Sequence, residues 1–118
     1  MTETYLMTDG SVPADAPRGS LGSGRAAAPW EMGGYLPAGE IRSTPADMAR
    51  YAAHLLEVGL PEYTWAVEEA GYSWHNGGTY GFSTMLIIDP EEGRAAFAAG
   101  DTLTGVEKLT AALVSEKF

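Results

Sequence analysis

The 118 residues suffice for one domain and fall short of two. Apolar residues at 45% and charged residues at 19% describe a chain that folds around a core instead of staying disordered. Basic residues number 7 against 16 acidic ones, and the net charge of -9 excludes a general binder of nucleic acid or anionic membranes, because phosphates would meet a repelling field.

Taken in chain order, residues 1–43 are broken by glycine and proline from Gly10 to Gly39 and hold no sustained hydrophobic period. The apolar patches Tyr5-Leu6-Met7 and Trp30 to Leu36 suit an edge strand or an anchored loop. So long a structureless stretch is unusual inside a self-contained domain, and the segment reads as one that wraps over something larger. Met1 to Gly10 is acidic and lacks the basic start and apolar core of a signal peptide. No apolar run approaches the length of a membrane span. As written, the chain reads as a soluble cytoplasmic protein.

Signals sharpen over 44–118. Thr44-Pro45-Ala46-Asp47 predicts a helix start, with a threonine cap, proline at the first position and an acid three residues after the cap. Met48, Ala52, Leu55 and Leu56 share one face, and Gly59 with Pro61 stops the helix. Trp65 and Val67 alternate as in a half-buried strand. Residues 83–88 and 94–99 are apolar runs joined by the turn chemistry of Asp89 to Gly93, which predicts an antiparallel hairpin flanked by residues 73–78. Thr104 with Glu107 forms a capping box for a last helix striped by Val106, Leu109 and Leu113. From residue 44 the order is helix, strand, strand, strand, helix. The expected fold is α+β: a small antiparallel sheet with the C-terminal helix packed on it.

The densest chemical signal is Trp74-His75-Asn76-Gly77-Gly78-Thr79-Tyr80-Gly81-Phe82. Two adjacent glycines on a strand holding a histidine allow another backbone to approach closely. That suits a carbonyl or carboxylate lying along a strand edge. A glycine-rich turn beside a structural histidine has the same spacing.

The stretch from His75 to Phe82, followed by Ser83 to Asp89-Pro90 and Gly93-Arg94 to Gly100-Asp101-Thr102, resembles the third conserved box and following strands of the class C β-lactamase family. That family includes penicillin-binding serine DD-peptidases, D-aminopeptidases and esterases. Upstream, Pro37-Ala38-Gly39-Glu40-Ile41-Arg42-Ser43-Thr44 to Asp47-Met48 is similar to the family's Pro-Ala-Gly-Gly helix entry. The resemblance spans roughly residues 30–113 and corresponds to the C-terminal part of a family member. It implies a β-lactamase/transpeptidase-like fold. It also implies that His75 stands at the box's first position, holding a substrate carboxylate or tuning a base. Asn76 would then lie beside substrate, Gly77 would leave room for its backbone, and Thr79 would support with a hydroxyl. Gly78 would offer a backbone N–H as half of an oxyanion hole.

The chain departs from the family pattern in its nucleophile. None of Ser11, Ser20, Ser23, Ser43, Ser73, Ser83 and Ser115 has a lysine three residues on, and the lysines are Lys108 and Lys117. Asn76 is the single asparagine, so no Tyr-x-Asn exists. Glu40 replaces the family's second glycine. The expectation is a truncated serine-hydrolase region that is not catalytic alone, with a small acyl or peptide ligand. Alternatives are a binding module or one piece of a split enzyme. A homodimer, or the missing N-terminal part of a hydrolase, is the expected partner; an intact relative could be exported.

Weaker patterns carry less. Gly22-Ser23-Gly24 brushes a dinucleotide fingerprint, but no strand precedes it and Pro29 blocks a helix. His54 and His75 lack the partner spacing of a metal site, and without cysteine there is no thiolate zinc site or thiol nucleophile. Glu68-Glu69 and Glu91-Glu92 read as solvated acids. No metal or cofactor is called for. The tryptophans Trp30, Trp65 and Trp74 read as anchors of a thin core.

Overall fold

The computed structural model describes residues 1–6, 13–28, 33–103 and 105–115. Trp30, Thr104 of the capping box and Lys117 lie outside these residues. The fold is α+β, with strands β1 (Tyr5–Leu6), β2 (Ile41–Arg42), β3 (Ala66–Val67), β4 (Ser73–Thr79), β5 (Phe82–Asp89) and β6 (Arg94–Gly100). Helices α1 (Pro45–Val58) and α2 (Val106–Ser115) flank the larger sheet, and a 3-10 helix covers Gly33–Ala38.

Helix α1 begins as its residues dictate. Thr44 is extended, and its Oγ1 accepts the Asp47 N–H at 3.3 Å while Pro45 occupies the first turn. Gly59, at φ 91, donates its N–H to Leu55 O at 2.9 Å and ends the helix. The larger sheet is an antiparallel meander in the order β3-β4-β5-β6. Register pairs His75 with Leu86 and Gly78 with Ser83 across β4 and β5, and Leu86 with Phe97 across β5 and β6. Strand β4 lies beside the β5–β6 hairpin, as expected for residues 73–78, although the order of helix, three strands and helix does not count it. Pairing with β5 along its whole length holds it despite its two glycines.

Both faces of β5 are covered. Leu86 and Ile88 pack with Ala52 and Leu55 of α1, with Trp65 and Phe97 alongside. Met85 and Ile87 pack with Val106 and Val114 of α2, with Tyr72 and Trp74 alongside. This explains the unbroken apolar run of 85–88, since a strand buried on both faces loses its alternation. The sheet is thus sandwiched between helices, not covered on one side alone. On α2 the buried stripe is Val106, Thr110 and Val114, whereas Leu109 and Leu113 are 54% and 40% exposed. Thr110 tolerates complete burial because its Oγ1 donates to Val106 O at 2.6 Å.

Several contacts fasten the described parts of the Gly- and Pro-rich start. Strand β1 pairs antiparallel with β2, and Asp47 Oδ2 accepts the Glu3 N–H and the Thr4 hydroxyl, each at 2.8 Å. Arg50 Nη1 donates to Asp47 Oδ1 at 2.7 Å. Burial acts to raise the Asp47 carboxyl, but the bonds from Thr4, Glu3 and Arg50, with the nearby N-terminus, outweigh it and lower the pKa to about 2. Farther along, the Ser20 N–H is shared between Gly81 O at 3.2 Å and Asp101 O at 2.7 Å. A Cβ on Gly19 would lie 2.6 Å from Gly81 O, so the two backbones meet where only glycine fits. No described helix is long and apolar enough to cross a membrane.

Candidate functional site

His75, Asn76, Gly77, Gly78 and Thr79 follow one another along β4. Strand β3 pairs with β4 only at Ala66–Trp74 and Val67–Ser73. Beyond Trp74 the outer edge of β4 has no strand beside it among the described residues. Just before β3, Thr64 sits at φ 76, a strained value for a β-branched residue.

The loop between β4 and β5 sets which main-chain groups face that edge. Only Tyr80 and Gly81 separate Thr79 from Phe82, and a pair flanking so short a loop is mutually hydrogen-bonded. Gly81 is at φ 82 and Tyr80 is not positive, the φ signs of a type II turn. Alternation along the ladder then turns His75, Gly77 and Thr79 toward β5. It turns the N–H and C=O of Asn76 and Gly78 outward. The Glu68 N–H bond to Tyr72 O, at 2.8 Å, has the parity this requires. The open edge therefore offers the main-chain groups of two residues, and both residues are exposed.

Side chains divide by face. His75 lies on the α1 side opposite Leu86, exposed to solvent, with its ring edge-on to Trp65 at 6.0 Å between centroids. Asn76 lies on the α2 side opposite Met85, and half-buried Thr79 pairs with Phe82. The two glycines differ. A Cβ on Gly77 would come within 2.9 Å of Thr84 Oγ1, so a side chain there would have to displace the Thr84 hydroxyl. A Cβ on Gly78 would meet nothing nearer than Phe82 O at 4.0 Å, so open space surrounds that position.

Sequence reading named Trp65 and Trp74 but not their partners at this site. Trp65 lies ten positions before His75, and only the β3–β4 pairing brings their rings together. Trp74 Nε1 donates to Glu68 Oε1 at 2.8 Å, tying the base of the site to the turn after β3. Ser83 lies directly across from Gly78, but it is buried and its Oγ has no hydrogen-bond partner among the described residues. It has no lysine at the spacing a nucleophile needs. Among the described residues, no three His, Asp or Glu side chains gather as a metal cage. No family model, curated protein or solved structure matches this chain.

Proposed function

We propose that this chain carries one wall of an acyl-binding site of the class C β-lactamase and penicillin-binding type, without the nucleophile. The observation that supports it is the outward pair of main-chain groups at Asn76 and Gly78 on the unpaired stretch of β4. An extended acyl or peptide ligand would add to this edge as a strand does, its carbonyl accepting the Gly78 N–H. His75 beside Trp65 would meet the ligand's carboxylate or acyl end. With neither Ser-x-x-Lys nor Tyr-x-Asn in the sequence, the chain alone forms no acyl-enzyme. The second reading is a binding module that uses the same edge with no chemistry to follow. The exposure of the whole stretch from His75 to Gly78 favours it.

The test titrates labelled protein with a short peptide ending in D-alanyl-D-alanine and with a β-lactam, reading amide shifts and intact mass. Expected are shifts confined to residues 74–79, no mass increase and no turnover of a nitrophenyl ester. Gly78→Pro removes the outward N–H without touching the β5 ladder, and it should abolish the shifts. Undisturbed amides at 74–79 reject the site, and a stable serine adduct rejects the lack of catalysis. Both readings expect the isolated chain to bind; ester turnover that appears on adding a serine-bearing hydrolase segment favours the split enzyme, and its absence favours the module.

A further inference from the structure

We propose that two copies of this chain pair through the outer edge of β6, joining their sheets into one antiparallel sheet across a two-fold axis. The idea stands apart from the acyl-site reading, because β4 and β6 lie on opposite sides of β5. The same parity that opens Asn76 and Gly78 on one side works on the other. Residues 83, 85, 87 and 89 turn toward β6, so their partners 100, 98, 96 and 94 bond inward. Ala95, Phe97 and Ala99 then direct their N–H and C=O groups outward. No described strand pairs with them; the contact from Ser20 falls at Thr102, beyond the end of the strand.

Natural sheets guard such edges with charge, proline or a bulge. Between Ala95 and Gly100 this edge has only alanine, phenylalanine and glycine. A second copy is the occupant the geometry fits. An antiparallel edge is self-complementary about a two-fold axis, and centring on Phe97 sets Ala95 against Ala99 of the second copy. The outward residues would then exchange about six main-chain bonds, against about ten hydrogen bonds in a typical stable interface.

Helix α2 supplies the apolar part. It runs back over β6 after the short connection that follows Gly100, and a Cβ on Gly100 would lie 3.2 Å from Val106 Cγ1. With Val106, Thr110 and Val114 facing down, a right-handed helix in that direction carries Leu109 and Leu113 on the flank away from β5. Both leucines thus overhang the open edge, 54% and 40% exposed. Helix α2 rests on β5 and β6 alike. With strands about 4.8 Å apart, continuing the sheet across the axis sets the two α2 axes about 10 Å apart, the distance at which helices pack. Each copy carries a charge of -9, and Glu91, Glu92 and Asp101 flank the two ends of β6, so added salt should strengthen the pairing.

Sedimentation at micromolar concentration should give twice 12.5 kDa. Hydrogen exchange should find the amides of 95, 97 and 99 as slow as those of 96 and 98. The double variant Leu109→Glu/Leu113→Glu, and separately Ala99→Pro, should return the monomer mass. In the leucine variant 95, 97 and 99 should exchange rapidly while 96 and 98 stay slow, which also shows that the sheet is intact. A monomer at these concentrations overturns the proposal. So does a dimer whose amides at 95, 97 and 99 exchange freely, or one that survives both variants.

Discussion

Asp47 joins the helix start to the N-terminal segment, and its single carboxylate holds an amide, a hydroxyl and a guanidinium. Its pKa falls from 3.8 to about 2 on folding. A lowered carboxylate pKa contributes stability that is present above the unfolded value and lost as pH falls through the folded one. Thermal unfolding should therefore show stability falling between about pH 4 and pH 2, and Asp47→Asn should flatten that part of the profile. An unchanged acid limb in Asp47→Asn would remove Asp47 as its source. Ser83 makes the opposite case, for its buried hydroxyl finds no partner among the described residues. Ser83→Ala should be neutral or stabilising by up to about 1 kcal/mol, because an unsatisfied buried donor costs about that much or more. A clear drop in melting temperature would show that the hydroxyl is satisfied in solution.

Among the elements, the β4–β5 hairpin separates two glycines that look alike in sequence. Gly81 is at φ 82, and a Cβ there would lie 2.6 Å from Ala27 Cβ. Gly81→Ala should cost more than about 1 kcal/mol, since it adds backbone strain to a clash. Gly78→Ala, in open space, should stay within about 0.5 kcal/mol. Denaturant titration of the two variants measures the difference, and equal costs would contradict the hairpin geometry. The predicted hairpin of 83–88 and 94–99 stands in the structure with 73–78 beside it, because apolar runs and the Asp89–Gly93 turn are local signals. Asp89 completes that turn by accepting the Glu92 N–H at 3.0 Å and an Arg94 N–H at 3.2 Å. The α2 stripe was less legible. Leucine outranks threonine on any hydropathy scale, yet Thr110 is buried and Leu109 is not.

At the scale of the whole molecule, one sheet is shared by two apolar layers, one under each helix. Neither layer can be lost without uncovering a face of β5. Leu55→Ala on the α1 side and Ile87→Ala on the α2 side should each cost about 2–5 kcal/mol and lower the same transition. Two separate transitions, one per variant, would show that the layers unfold independently. Among the described residues the same sheet leaves two stretches of edge without a neighbouring strand, and they differ in character. The β4 edge beyond Trp74 is polar and glycine-rich, whereas the β6 edge is apolar and overhung by leucines.

Sequence alone determined the features that depend on near neighbours: the capped start and glycine stop of α1, the hairpin of β5 and β6, and the α+β class. It also placed His75 to Thr79 together, since they are consecutive, and showed that neither Ser-x-x-Lys nor Tyr-x-Asn is present. Tertiary structure decided everything that depends on strand parity and on distant partners. The alternation of the ladder sends Asn76 and Gly78 outward while Gly77 turns inward, and shifting the pairing by one residue would reverse all three. The fold also brings Thr4 to Asp47 across 43 positions and Trp65 to His75. No local pattern encodes such meetings, because they follow from how the sheet and its two helices pack.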